Sequence, residues 1–342
     1  MNAILESFGL NPIDFIVERI GTGHIHDTYR LTGEKKFILQ RVNKNVFKEP
    51  DIIASNLRFA SDYLKKNFPD YSFLSGIPSI TNTDMVYDVD GFPWRLFHYL
   101  ANTITFDKIE TSAEAFSAAT EFAKLTRYLD KIEVADFKET ISHFHDLNLR
   151  YHQFEIALAK APKKLVENAM GEVSACRRFY YLTETYHSLI SNGSLRLRIT
   201  HNDTKINNIL FDAVSRKAVS VIDLDTLMPG YFIYDLGDMV RTYVCAVTEE
   251  EKDYSKILFR REFYNALLEG YLSQMESVMS AKEKAAIPFA GKMMTYIMAL
   301  RFLTDYLNGD VYYHTDYAGQ NLVRAGNQLR FLDMLEEWVP AG

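Results

Sequence analysis

Four polar side chains in the middle of the sequence have the types and spacing from which a chemical reading can start. The run from Ile199 to Phe211 holds His201, Asp203 and Asn208, and Asp223 follows in the next short hydrophobic run, Val221 to Asp225. Asp203, a short carboxylate on a loop, could accept a hydrogen bond from a hydroxyl and take its proton as a new bond forms. Asn208 and Asp223 offer the hard oxygen donors that Mg2+ prefers, leaving its other positions to water and phosphate oxygens. Together they suit phosphoryl transfer, whose loose transition state asks the protein chiefly to hold nucleophile, cation and phosphate in line. Any one of these residues alone would more readily cap a turn or sit on the surface; their joint order reverses that reading. His201 reads as structural, orienting the loop through its ring nitrogens. Asp225 has two readings: it joins the cation's ligands as a second carboxylate, or it holds the loop through backbone N–H groups.

The elements that must position these groups divide the chain in two. Over the first hundred residues Phe15 to Ile20, Thr28 to Leu31 and Lys36 to Val42 read as strands, with Thr32-Gly33-Glu34 turning the second into the third. Met85 to Val89 and Pro93 to Tyr99 flank Asp90-Gly91, the turn pair of a hairpin. Between them Pro50 to Lys66 carries apolar residues at helical spacing, with Pro50 placed to begin the helix. After Asn102 the pattern is mainly helical, over 112–130, 165–191, 254–279, 281–307 and 320–338. Only 195–225 breaks it, where Asn208 to Phe211 and Val219 to Leu224 read as strands around a turn at Asp212 to Lys217. The fold class is therefore α+β, with a small β-rich lobe containing one helix over residues 1–101 and a larger, mainly helical lobe over 102–342. The hinge falls near 97–101.

At 342 residues the chain is long enough for two such lobes. Its net charge of -7 argues against broad nucleic-acid binding, which needs a basic face to displace counterions. Lys163-Lys164, the longest basic cluster, is too short to be a polybasic patch. Cys176 and Cys245, the only cysteines, fit buried thiols in a reducing compartment better than a disulfide framework or zinc site. The segment Met1 to Phe15 lacks the order of a signal peptide, and no apolar run reaches the roughly 20 residues of a membrane span. The expectation is a cytoplasmic protein with small-molecule partners, neither nucleic acid nor membrane, as a monomer or weak homodimer.

The order His201, Asp203, Asn208, Asp223 resembles the catalytic loop and metal-binding segment of kinases: His, then Asp two residues on, Asn five after that, and a second Asp on the next hairpin. At the other end, Ile20-Gly-Thr-Gly-His-Ile-His-Asp-Thr-Tyr29 resembles the glycine hairpin with which kinases cover phosphates. Gly21 and Gly23 precede a strand rather than a helix, which disfavours a dinucleotide fold or a Walker loop. With both ends matched, nearly all of the chain resembles the aminoglycoside phosphotransferase and choline kinase superfamily of small-molecule kinases, with a two-lobed, protein-kinase-like fold. Phe37-Ile-Leu-Gln-Arg-Val-Asn43, His201-Asn-Asp-Thr-Lys205, Ile222-Asp-Leu-Asp-Thr-Leu-Met-Pro-Gly230 and Leu300-Arg-Phe-Leu-Thr-Asp-Tyr-Leu-Asn-Gly-Asp310 look most like bacterial N-acetylhexosamine 1-kinases.

That resemblance implies transfer from ATP, with Mg2+, to the anomeric hydroxyl of N-acetylglucosamine or N-acetylgalactosamine. It implies that Lys205 neutralises charge on the moving phosphate, that Asp235 buttresses the catalytic loop, and that His26, Arg301 and Tyr312 contact the acceptor. Adenine is expected against the hinge at Phe97 to Leu100, including Tyr99. One departure stands out. Protein kinases pair a third-strand lysine with a helix glutamate to hold the nucleotide phosphates. Here the strand position reads as Gln40 followed by Arg41, and Pro50 to Lys66 contains no glutamate. The phosphate contact is left to Gln40, Arg41 or neither. Other readings are a choline, ethanolamine, homoserine or aminoglycoside kinase, a silent nucleotide-binding module, and hydrolysis at a metal site built on His143, His145 and His152. The three histidines lack an accompanying ligand cluster and are expected to face solvent or pack in helices.

Overall fold

Period-two alternation in the first hundred residues gives one sheet with two differently used faces. In the computed structural model, which describes residues 1–20 and 26–339, β1 (Ile16–Ile20), β2 (Asp27–Thr32), β3 (Lys36–Arg41), β4 (Val86–Tyr87) and β5 (Pro93–His98) form an antiparallel sheet in the order β1-β2-β3-β5-β4. Leu31, Phe37, Leu39, Trp94 and Leu96 bury one face against Ile4 and Leu5 of α1 (Asn2–Ser7). The opposite face carries Thr28, Gln40 and Arg95, which are register partners across β2, β3 and β5. This is the face turned to the rest of the molecule. Helix α2 (Pro50–Asn67) begins at the expected proline, and its apolar stripe of Ile53, Leu57, Ala60 and Leu64 packs into the large core instead of the sheet's own cluster. Asn56 anchors it there, donating to the carbonyls of Lys138 and Leu227.

The remainder contains β6 (Thr103–Ile104), α3 (Ser112–Tyr128), α4 (Leu147–Lys160), α5 (Lys163–Asn168), α6 (Met170–Arg178), α7 (Tyr181–Ser191), β7 (Arg198–Thr200), β8 (Ile209–Asp212), β9 (Ala218–Val221), β10 (Met228–Gly230), α8 (Phe232–Met239), α9 (Arg261–Met275), α10 (Ala281–Ala285), α11 (Ile287–Leu307) and α12 (Gln320–Trp338). A π-helical turn, Val240–Val244, follows α8. Helix α11 is apolar almost all round and forms the centre of this part, against α12, α8 and α4. Gly237 of α8 allows that packing, since a Cβ there would run into the carbonyl of Ala290. Strands β6, β8 and β9 form a small sheet that joins the segment after β5 to the Asn208–Asp223 region, and β7 pairs with β10.

Several expected boundaries move for identifiable reasons. The 165–191 helix is three helices: its first break falls at Ala169, for which the residue types offer no cause, and its second at the crowded aromatics Phe179 to Tyr181. The 281–307 helix breaks at Ala286, because Pro288 lacks an N–H and suits only a first turn. Helix α9 starts at Arg261, since Phe259 is held extended against Cys245. Helices α4 and α8 and the β7–β10 pair were not expected. Cys176 and Cys245 are free and buried, as expected. Among the described residues no helix is long and apolar enough to cross a membrane.

Candidate active site

The loop between β7 and β8 is fixed by hydrogen bonds before any ligand is considered. Asp235, buried in α8, accepts the backbone N–H groups of His201 and Asn202 at 3.0 and 2.7 Å. Burial pushes its carboxyl up to about 6, against the pull of those two N–H groups. His201 accepts at Nδ1 from the Asp203 N–H and donates from Nε2 to the Ile222 carbonyl at 2.9 Å, so it is the neutral Nε2–H tautomer. It therefore ties the loop to the segment that carries Asp223. Asn202 adopts φ 66° and sends its amide to the carbonyls of Thr200 and Thr226. Gly230 is required beside it, because a Cβ there would strike Thr200 Oγ1 and crowd Asn202 Oδ1. Tyr243, in the π-helical turn, donates to the Thr204 carbonyl from below.

On this loop Asp203, Asn208 and Asp223 come together. The Asn208 amide donates to the backbone oxygen of Asp203 at 2.9 Å and to its Oδ2 at 3.2 Å, which leaves the Asn208 Oδ1 for a cation. Lys205 Nζ lies 3.4 Å from Asp203 Oδ1. Burial disfavours charge on Asp203, but Lys205 outweighs it and holds the carboxyl below its usual range; Asp203 in turn raises Lys205. Asp223 sits at φ 56°, ψ 55°, a left-handed conformation uncommon outside glycine. Among the described residues it has no hydrogen bond or ion pair. Asp223 itself is exposed to the cleft, but desolvation by the atoms around it, then the carboxylates of Asp225 and Asp203, push it up. An unshared carboxylate repelled by two others is a group a hard divalent cation suits. The nearest oxygens or nitrogens of His26, Asp223 and Asp225 lie within 4.8 Å of one another.

Of the two expected positions of Asp225, the structure shows no bond to backbone N–H groups among the described residues, whereas its carboxylate does stand with His26 and Asp223 in a group whose ligand atoms could hold a cation. Its oxygens are taken by small-lobe side chains: Arg95 donates to Oδ1, and His26 Nε2 lies 2.7 Å from Oδ2. Burial works against its charge, yet Arg95 and His26 hold it well below the carboxylate range. His26 accepts the Asn43 N–H at Nδ1, so its proton is on Nε2 and both nitrogens are committed. The structure thus places His26 on Asp225, not as a free donor to an acceptor. Gly21 and Gly23 lie outside the described residues. The expectation for Gln40 and Arg41 is corrected as well. Gln40 accepts two bonds from Arg95 and donates to Thr28, whereas Arg41 is on the opposite face of β3 and pairs with Asp27 at 2.5 Å. Alternation along a strand forbids both from facing the cleft. The buried cation there is Arg95, which sequence reasoning missed. Phe97 shares that face, 5.2 Å from the Arg95 guanidinium, and Tyr99 follows where β5 ends, its N–H donating to Lys36.

Arg301 of α11 stands among the rings of Phe144, Tyr312 and Tyr313 at 5.4, 5.9 and 5.5 Å. Arg301 and Tyr312 are therefore neighbours. Arg150 is near enough that burial first, and Arg301 second, lower its guanidinium. Among the described residues neither arginine has an ion-pair partner. Asp305, at the end of α11, gathers the N–H groups of Val311, Tyr312 and Tyr313 and the amide of Asn321, and so shapes the loop that carries both tyrosines. His143 and His152 are exposed, but His145 is buried between Phe144 and Tyr234 and lies 2.8 Å from the Asn202 carbonyl through Nε2. Burial pushes it down to about 3, with Arg301 adding to the effect and Asp203 opposing it. It is a neutral prop of the β7–β8 loop. The stretch Leu300 to Asp310 and the three histidines stand out in the sequence, but nothing there signals that Asp305 gathers backbone N–H groups or that His145 props the β7–β8 loop.

Residues 16–281 match the model of the phosphotransferase enzyme family. Solved structures share the kinase-like fold across almost the whole chain. The microcompartment-associated aminopropanol kinase matches with a TM-score of 0.65 at 15% identity, over 100% of this chain and 98% of that one. An aminoglycoside phosphotransferase from Alicyclobacillus acidocaldarius matches at 0.65 and 12% identity, over 99% and 96%. Amicoumacin kinase hAmiN, solved with AMP-PNP and Ca2+, matches at 0.62 and 16% identity, over 95% and 89%.

Proposed function

This chain belongs to the phosphotransferase enzyme family, and from that premise we propose that it transfers the γ-phosphoryl group of ATP to a small neutral alcohol, the anomeric hydroxyl of an N-acetylhexosamine. The observation that carries the transfer reading is the convergence of Asp203, Asn208 and the otherwise unpaired Asp223 on one loop system. Asp203 accepts the hydrogen bond of the acceptor hydroxyl and takes its proton as the oxygen attacks phosphorus; its lowered carboxyl range keeps it ionised for that task. Lys205, 3.4 Å away, stabilises charge on the transferred phosphoryl group. Asn208 and Asp223 would hold Mg2+, which when bound neutralises phosphate charge. The nucleotide would enter between the sheet face of Arg95 and Phe97 and this loop. The complex of amicoumacin kinase with AMP-PNP and Ca2+ is consistent with a nucleotide and a divalent cation serving this fold.

The choice of a neutral acceptor rests on charge. A choline-like or aminoglycoside cation needs carboxylates or an open aromatic cage. Here two guanidiniums that make no ion pair among the described residues, Arg150 and Arg301, lie near each other and would repel such a cation. Arg301 can donate to sugar hydroxyl or acetamide oxygens, and the exposed ring of Tyr312 can lie on a pyranose face. An anomeric hydroxyl is also more acidic than an ordinary alcohol, which eases the work of Asp203. The test is ADP release from Mg-ATP with a panel of N-acetylhexosamines, plain hexoses, choline and aminoglycosides. Turnover is expected with the N-acetylhexosamines; turnover confined to cationic amines would refute the acceptor, and none with any alcohol would favour a silent nucleotide-binding module.

A further inference from the structure

The small lobe lacks the lysine and helix glutamate of protein kinases, and a different set of side chains fills the gap. Arg95, 3% exposed, spreads its guanidinium between two acceptors: one N–H goes to Asp225 Oδ1, while Nε and the other amino group go to Gln40 Oε1 at 3.1 and 2.9 Å. Gln40 is held in turn by donating to Thr28 Oγ1 at 3.1 Å. Thr28, Gln40 and Arg95 are register partners on three adjacent strands, so the guanidinium is fixed by the sheet itself. Across the cleft its target, Asp225, is 2% exposed and lies two residues after the left-handed Asp223. His26 supports the same carboxylate from the strand β2 side.

We propose that Arg95 is a positioning residue of the transfer site, clamping Asp225 to the sheet and thereby holding Asp223 where it meets a metal nucleotide. This inference rests on the phosphotransfer reading above. A planar fork suits the position, because it bonds an amide oxygen and a carboxylate at once, whereas an ammonium is a single point charge. Loss of the guanidinium leaves the Asp225 charge buried beside Asp223 and Asp203 with only His26 to offset it. The relay Gln40–Arg95–Asp225 thus joins the two lobes as the lysine–glutamate pair joins strand and helix in protein kinases.

The experiment measures MgADP binding by calorimetry, and the rise in unfolding temperature on adding MgADP, for the full chain and for Arg95→Met, Arg95→Lys, Asp225→Asn and the Arg95→Met/Asp225→Asn pair. No acceptor is needed. Arg95→Met is expected to weaken MgADP by about tenfold or more, Arg95→Lys to recover part of that loss, and the pair to bind no more weakly than Asp225→Asn alone. Should Arg95→Met fail to fold, Arg95→Lys carries the test, with weaker MgADP binding expected at an unchanged ligand-free unfolding temperature. Wild-type binding in Arg95→Met or Arg95→Lys, or additive losses in the pair, would overturn the clamp while leaving phosphotransfer intact. Failure of the unsubstituted chain to bind MgADP would overturn the phosphotransfer reading and the clamp with it.

Discussion

The side-chain amide of Asn208 donates to the Asp203 carboxylate at 3.2 Å and to its backbone oxygen at 2.9 Å. The proposed base and one proposed cation ligand are therefore a single rigid unit, set by the same amide. His201 extends that unit to Ile222, next to Asp223, and Asp235 pins its start. Such preorganisation is what a reaction limited by alignment requires.

Replacing the base tests that unit most locally. Asp203→Asn keeps size and can still bond Asn208, but cannot take a proton. A fall in kcat of roughly 10²–10⁴-fold is expected with little change in nucleotide affinity; the check is steady-state kinetics beside MgADP calorimetry, and near-normal turnover would remove Asp203 from the role.

The pH dependence has a sign set by Asp235. Its folded value, about 6, is above the ordinary carboxylate range, so the folded protein binds this proton first. Its contribution to stability is therefore fully present below the ordinary range and is lost as pH rises through about 6. Activity should run the other way, because protonation takes away an acceptor from the His201 and Asn202 N–H groups. Profiles of kcat are expected to show an acid limb near pH 6 that vanishes in Asp235→Asn, at lower overall kcat; a wild-type limb only below the carboxylate range would contradict this assignment.

His145 offers a test of a prop that never touches substrate. His145→Phe keeps a ring against Tyr234 but leaves the Asn202 carbonyl without its donor. Stability should drop by about 1–3 kcal/mol and kcat by several-fold, with the KM for ATP unmoved. Thermal melts and initial rates read both quantities.

The acceptor side should respond separately from the nucleotide side. Arg301→Met is expected to raise the acceptor KM about tenfold or more while the KM for ATP stays within about twofold. Asp305→Asn should do the same to a smaller degree, since it loosens the loop bearing Tyr312. Equal effects on both substrates would mean that these residues hold the large lobe together instead.

Much of this site was legible in the sequence because it is written along one segment. His201, Asp203, Asn208 and Asp223 are separated by at most 15 residues between neighbours, and a loop feeding a hairpin converts that spacing directly into proximity. The sheet was legible for a similar reason, through its turn residues and alternation. Arg95 was not, because its partner Asp225 is 130 residues away and only strand pairing and lobe packing bring them together. Arg41 shares parity with Phe37 and Leu39, which bury the outer face of the sheet, so alternation along the strand already aims it away from the cleft. His145 stayed hidden because it precedes α4, whose mixed polar pattern gave no helical stripe. Asp305 stayed hidden because its function is to collect backbone N–H groups, which no side-chain spacing announces.

The most direct measurement is phosphorus NMR of the products formed from Mg-ATP with N-acetylglucosamine or N-acetylgalactosamine. The account predicts one sugar 1-phosphate per ADP, its phosphorus coupled to the anomeric proton, and none after Asp203→Asn over the same interval. A phosphate ester formed only on choline or an aminoglycoside, or ADP accompanied only by inorganic phosphate, would contradict it.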